Sequence, residues 1–143
     1  MLTPTGTITC IDPFYRGEDT TLQARFNHNI LLSKKAKQTV NVIPHTSYTG
    51  LAHLIEQRAQ YDFIYLDGDH SSDAVMSDAC MSWGLLKPGG IMLFDDYFWD
   101  HVTDHLDRPK IGIDAFINAF IKRFTVVTVG YQIGIQKHTL ENT

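Results

Sequence analysis

Short apolar runs rich in β-branched residues alternate along the chain with segments whose apolar residues recur at helical spacing. The runs predict strands at Thr7–Ile11, Thr39–Ile43, Tyr61–Leu66 and 91–94. The third run is apolar without alternation, which is typical of a strand covered on both faces. Because strands that alternate with helices form parallel sheets, the sequence predicts an α/β fold with a Rossmann-like, mostly parallel sheet.

The segments between the strands have helical periodicity, and the chain closes on two further strands. The predicted helices are 21–32, 51–58, a helix starting at Ser71 or Ser72, and 113–124. We expect the third helix to turn these residues inward: Val75, Met76, Ala79, Cys80 and Trp83. Segments 125–129 and 131–137 flank Gly130 and predict an antiparallel hairpin. Before 91–94, Pro88 and Gly89 predict a turn with positive φ at the glycine.

Composition excludes several classes of protein. With 143 residues, of which 43% are hydrophobic, the chain can build the core of one domain, predicted to span 1–143. The chain has a net charge of -4 and so lacks the excess of basic residues that a nucleic-acid-binding surface needs. No apolar run approaches a membrane span of about 18 residues. Two cysteines in apolar segments indicate buried, reduced thiols, so we expect a cytoplasmic protein.

Acidic residues follow three of the predicted strands. Asp12 ends the first, Asp67 and Asp69 follow the third, and Asp95 and Asp96 follow the fourth. The carboxyl ends of parallel strands share one edge of the sheet, where ligands bind. We therefore expect these carboxylates to converge on a ligand site.

Each carboxylate has a functional and a structural interpretation. Asp12 suits the hydroxyls of a nucleoside ribose, or it is a turn residue before Pro13. Asp67, Asp95 and Asp96 form a set of hard oxygen ligands whose repulsion a cation such as Mg²⁺ would relieve. The alternative is a group of solvated loop carboxylates. Two neighbouring strands that both end in acids favour the metal site.

A histidine lies beside these acids. His70 is three residues after Asp67, and an imidazole can accept a proton at neutral pH. It is therefore a candidate general base, with a helix-capping or merely exposed histidine as the alternative. From the residue alone, the structural role is favoured.

Three segments carry a resemblance to a known family: YDFIYLDGDH, LLKPGG and IMLFDDYFW. They resemble the fourth- and fifth-strand motifs of class I S-adenosylmethionine-dependent methyltransferases. Among these the chain is most similar to metal-dependent small-molecule O-methyltransferases that act on catechols and antibiotic sugars. The resemblance covers nearly the whole chain and is strongest from Tyr61 to Trp99.

The resemblance implies a role for each candidate residue. Asp12 would bind the ribose of S-adenosylmethionine, and Ser47 would lie beside its adenine. The implied ligands of Mg²⁺ or Mn²⁺ are Asp67, Asp95 and Asp96. His70 would be the general base, acting with Asp67 on the acceptor. The implied reaction is methyl transfer to the hydroxyl of a small molecule.

The family's first strand and its glycine-rich loop are not found before Thr7, and the ten glycines contain no GxGxxG pattern. We therefore expect an N-terminally truncated domain whose sheet lacks its first central strand. Two inner strand edges would then be open, which favours pairing in a homodimer. Two other functions stay open: a non-catalytic or oligomerising remnant that binds cofactor poorly, and a nucleotide-dependent oxidoreductase. The oxidoreductase is disfavoured because the paired acids have no role there.

Overall fold

The computed structural model describes residues 5–15, 17 and 19–139. They fall into two compact units, Met1–Gly50 and Leu51–Thr143. The first half contains β1 (Thr7–Ile11), α1 (Leu22–Ser33), β2 (Thr39–Ile43) and α2 (Ser47–Glu56), whose last turns belong to the second unit. The second half contains β3 (Tyr61–Leu66), α3 (Ser72–Leu85), β4 (Leu86–Phe94), a 3₁₀ turn (His105–Asp107), α4 (Pro109–Phe120), β5 (Phe124–Val129) and β6 (Ile133–Lys137). None of the helices described is long and apolar enough to cross a membrane.

The first unit contains a parallel strand pair. β1 and β2 pair from Thr7 with Thr39 to Ile11 with Ile43, and α1 connects them. Both strands have the predicted bounds. Gly50 allows α2 to approach β1, because an added Cβ there would lie 2.5 Å from Cγ2 of Ile11. This unit is therefore a strand–helix–strand element followed by the start of α2.

The second unit contains a four-stranded sheet in the order β3-β4-β6-β5. β3 and β4 are parallel, whereas β6 is antiparallel to both β4 and β5. The α/β fold with a closing antiparallel hairpin is thus confirmed. Helices α3 and α4 pack together, and the core contains Ala79, Trp83, Leu86, Met92, Phe94, Ile113, Phe116, Phe124, Ile133 and Ile135.

The turn predicted before 91–94 lies inside a longer strand. β4 begins at Leu86, which pairs with Tyr61, and the next pair joins Ile91 to Phe63. The extra residues of β4 bulge away from the ladder. Gly89 has the expected positive φ, of +80°. The prediction was wrong in starting this strand at Ile91, because β4 already begins at Leu86 and an irregular register accommodates the turn.

The inner face of α3 differs from the predicted one. Ala79 and Trp83 are buried as expected, but Met76 is 38% exposed and Cys80 is also exposed. The reason is the close approach of α4, since a Cβ added at Gly112 would lie 2.1 Å from the carbonyl oxygen of Ser72. This approach fixes which side of α3 is covered.

Strand β3 is not covered on both faces. Phe63 is 54% exposed and Tyr65 is 45% exposed, whereas Ile64 and Leu66 pack against the core. Successive side chains of a strand point to opposite faces, and in this unit α3 contacts β3. Two-sided burial of this strand was therefore a wrong expectation.

Candidate functional site

The ends of β3 and β4 bring the second unit's acids into one cleft. Leu66 pairs with Phe94 in the parallel ladder, and the backbone N–H of Asp95 donates to the carbonyl of Leu66 at 2.9 Å. The acids after both strands therefore emerge side by side, as predicted. The cleft is lined by residues that include Leu66, Asp67, Asp69, His70, Val75, Phe94, Asp95, Asp96 and Pro109.

Three side chains in this cleft converge on one point. Single ligand atoms of Asp67, His70 and Asp96 all lie within 4.8 Å of one another. His70 Nε2 is 2.7 Å from Asp96 Oδ2. Mg²⁺ binds oxygen at about 2.0–2.1 Å, so opposite ligands of one ion are about 4.2 Å apart. The two hard carboxylates, with an imidazole beside them, fit a small divalent cation after a slight closure.

Asp96 has an unusual backbone conformation. Its φ is +55°, in the left-handed region that side chains other than glycine rarely adopt. Its N–H donates to Asp95 Oδ1 at 2.9 Å, and its carbonyl accepts the N–H of Trp99 at 2.9 Å. The local hydrogen bonds hold a conformation that costs about 1 kcal/mol or more. This conformation sets the direction of the Asp96 side chain.

Asp95 lies outside the converging group. Its Oδ1 accepts a hydrogen bond from Gln132 Nε2 at 3.0 Å, and its Oδ2 accepts one from the Tyr65 hydroxyl. Burial raises the pKa of Asp95, but the hydrogen bonds from Tyr65 and Gln132 outweigh it, so this pKa lies below its ordinary value. The same bond to Asp95 raises the pKa of Tyr65. The sequence grouped Asp95 with Asp67 and Asp96, whereas in the structure the third side chain that converges with these two acids is His70.

Aromatic residues of the neighbouring loops contact two residues of the cleft, His70 and Asp96. The rings of His70 and Trp99 are 4.7 Å apart and tilted by 51°. A hydrogen bond to Asp96 raises the pKa of Tyr131. Further along the loop, the Tyr97 hydroxyl donates to Asp114 Oδ1 at 2.8 Å. These contacts anchor the segment after β4 to the hairpin and to α4.

Sequence reasoning missed Tyr65, Tyr131 and Gln132. Tyr65 could have been found, because it precedes Asp67 by two residues and residues at that spacing share a face of a strand. Tyr131 and Gln132 follow β5 in the hairpin turn. Their position beside the acids depends on the register of β6 against β4, for which the sequence contains no local signal.

Asp69 stabilises the entry to α3. Its Oδ1 accepts both the N–H and the hydroxyl of Ser71, at 2.8 and 2.7 Å. These two bonds lower the pKa of Asp69. Ser71 is at the N-cap position as predicted, but its hydroxyl bonds to Asp69 and makes no cap to the helix. The loop that carries His70 thus contains an Asx turn, in which the Asp69 side chain accepts both hydrogen bonds from Ser71.

The first unit contains the two residues predicted for cofactor binding. Asp12 Oδ1 accepts the N–H of Phe14 at 2.6 Å, which is the contact expected of a turn residue. Asp12 also lines a depression with Phe14, Leu22 and Phe26. The depression therefore combines an exposed carboxylate with an apolar wall. Ser47 is the first residue of α2 and is half-buried.

A known family matches this sequence from residue 2 to residue 97, and its description is a methyltransferase domain. The match covers more than half of the chain. The chain belongs to this methyltransferase family. The matched part of the methyltransferase domain includes Asp12, Ser47, His70 and the acids after β3 and β4. A comparison with curated proteins finds no match.

Solved structures share the fold of this methyltransferase domain. A Corynebacterium glutamicum protein aligns with a TM-score of 0.67 at 17% identity, over 93% of this chain and 61% of its own. An O-methyltransferase from Bacillus cereus in complex with SAH gives 0.66 at 15% identity, over 93% and 74%. The mycinamycin-pathway methyltransferase MycE, in complex with Mg, SAH and mycinamycin VI, gives 0.61 at 11% identity, over 95% and 45%. The chain thus spans about three fifths of the first of these proteins.

Proposed function

We propose that this domain takes part in metal-assisted methyl transfer from S-adenosylmethionine to the hydroxyl of a small molecule. The observation that carries the proposal is the convergence of Asp67, His70 and Asp96 where β3 and β4 end. In a methyltransferase domain, an acidic cleft with an adjacent imidazole suits deprotonation of an acceptor.

Asp67 and Asp96 are the proposed cation ligands. When Mg²⁺ or Mn²⁺ is bound, it supplies Lewis-acid polarisation that lowers the pKa of the acceptor hydroxyl. Asp95 was predicted as a third ligand, but both of its carboxylate oxygens accept hydrogen bonds from protein donors. It would reach a cation most readily by giving up one of these bonds.

His70 is the proposed general base. Its imidazole is about one third exposed, so an acceptor can approach it, and Trp99 lies beside the ring. Because an ionised carboxylate only accepts hydrogen bonds, the 2.7 Å contact with Asp96 requires a proton on His70 Nε2. The neutral imidazole then has its lone pair on Nδ1, so Nδ1 is the atom that would take the proton of the acceptor hydroxyl.

Asp12 and Ser47 are the proposed cofactor contacts. The Asp12 carboxylate can accept hydrogen bonds from ribose hydroxyls, and Phe14 with Phe26 offers an apolar wall to a base. S-adenosylmethionine supplies an electrophilic methyl group when bound. The Bacillus cereus O-methyltransferase in complex with SAH and MycE in complex with Mg and SAH share this fold, which supports a cofactor site and a cation site in this domain.

Metal titration tests the proposal. We expect MgCl₂ or MnCl₂ to raise the melting temperature, because a ligand that binds only the native state stabilises it. The variant Asp67→Asn with Asp96→Asn should lose this response. Asp62→Asn is the matched control, since that carboxylate is 86% exposed and pairs with Lys87. A wild-type response that survives in the double variant contradicts the proposed site.

A further inference from the structure

Asp95 is held by two segments that are far apart in the sequence. Tyr65 comes from β3 and Gln132 from the turn between β5 and β6, and each donates to a different carboxylate oxygen. The amide nitrogen of Gln132 is also 3.5 Å from the Tyr65 hydroxyl. With both oxygens engaged, the Asp95 side chain has one orientation.

That orientation acts on the next residue. Asp95 Oδ1, which accepts from Gln132, also accepts the N–H of Asp96 at 2.9 Å. Asp96 has a φ of +55°, and its Oδ2 faces His70. A rotation of the Asp95 carboxylate would remove the acceptor from the Asp96 N–H and release the unfavourable conformation.

We infer that Tyr65 and Gln132 are positioning residues that act through Asp95 to hold the Asp96 carboxylate in the cation site. The inference rests on the proposed function, in which Asp96 is a cation ligand. Tyr65 and Gln132 are both exposed and lie outside the hydrophobic core, so packing does not account for their convergence. Residues that orient a ligand from behind typically change metal affinity by about 10–100-fold when they are replaced.

The variants Tyr65→Phe and Gln132→Met remove the donors and nearly keep side-chain volume. We expect each to weaken Mg²⁺ binding at least about 10-fold by calorimetry. Matched controls come from the same four-stranded sheet. Tyr61→Phe lies at the other end of β3, and Gln136→Met removes a bond to the Gly89 carbonyl; both should keep wild-type affinity.

A second measurement needs no metal. Hydrogen exchange of the Asp96 amide, followed by NMR, should be faster in Tyr65→Phe and in Gln132→Met than in wild type or the controls. Unchanged exchange of that amide overturns the inference, and so does unchanged Mg²⁺ affinity in a wild type that binds the ion. If the wild-type protein does not bind Mg²⁺, the proposed metal role fails, and amide exchange alone decides whether these residues hold Asp96.

Discussion

His70 Nε2 lies 2.7 Å from Asp96 Oδ2, with the imidazole 34% and the carboxylate 20% exposed. The pair joins the loop after β3 to the loop after β4, so it links both acidic strand ends. The proposed base, His70, and the proposed cation ligand, Asp96, should make separable contributions, one to proton removal and the other to cation binding. Substitutions at His70 separate these two contributions, and substitutions in the surrounding fold test how the second unit is stabilised.

Replacing His70 separates a base from a ligand. His70→Ala should reduce turnover by roughly 10²-fold or more, as for a general base, with little change in the affinity for Mg²⁺ or S-adenosylmethionine. Release of SAH in the presence of hydroxyl acceptors measures turnover. His53→Ala, on the exposed side of α2, is the control. A large loss of Mg²⁺ affinity in His70→Ala would make His70 a ligand instead.

Gly112→Ala should destabilise the second unit. The added methyl group would lie 2.1 Å from the Ser72 carbonyl oxygen, so α4 would have to move away from α3 at a cost of about 2 kcal/mol or more. Gly84→Ala in α3 is the control, because a Cβ added there would meet no atom within 4 Å. It should stabilise the protein by about 0.5–1 kcal/mol. Urea unfolding measures both changes.

Lys137→Met should also lower the free energy of unfolding. The ammonium group donates to the carbonyls of Trp83 and Leu86, at 2.8 and 2.7 Å, where α3 ends. Losing these charged bonds on a partly exposed side chain should cost about 1–2 kcal/mol. Lys87→Met removes only an ion pair to the exposed Asp62 and should change stability by less than about 0.5 kcal/mol. Equal effects of the two substitutions would contradict this role for Lys137.

Asp69 should contribute to acid stability. Its pKa is lowered in the folded state by the bonds from Ser71, so its stabilisation is present above the ordinary value of 3.8 and is lost as pH falls through the lower folded pKa. Asp69→Asn should therefore show a shallower loss of stability in that acidic range than wild type. Ser71→Ala removes the hydroxyl donor and should give an intermediate slope. Unfolding curves at several acidic pH values test this order.

Local pattern was enough to predict much of the fold. The bounds of β1, β2 and β3 follow from their short β-branched and apolar runs, and the closing hairpin follows from the runs around Gly130. The convergence of acids after β3 and β4 follows from parallel pairing. These features depend on neighbours in sequence or on a general property of parallel sheets.

The remaining features depend on contacts distant in sequence. The hydrogen bonds from Tyr65 and the hairpin residue Gln132 to Asp95 join distant segments, and so does the convergence of His70 with Asp96. Cys80 is exposed because the approach of α4 at Gly112 selects another face of α3. The roles of Asp12 and Ser47 in cofactor binding, the hydroxyl acceptor and the homodimer stay predictions.

The left-handed backbone at Asp96 limits which side chains, and therefore which metal ions, the proposed cation site could acquire in the course of evolution. Asparagine, aspartate and histidine enter that region several-fold more readily than most residues, and glycine enters it freely. Hard oxygen or imidazole donors can therefore be exchanged at this position without remaking the loop. A cysteine would be strained there. Binding of a metal that prefers thiolate ligands, such as Cu(I), would therefore require a change of the backbone conformation before a change of the side chain.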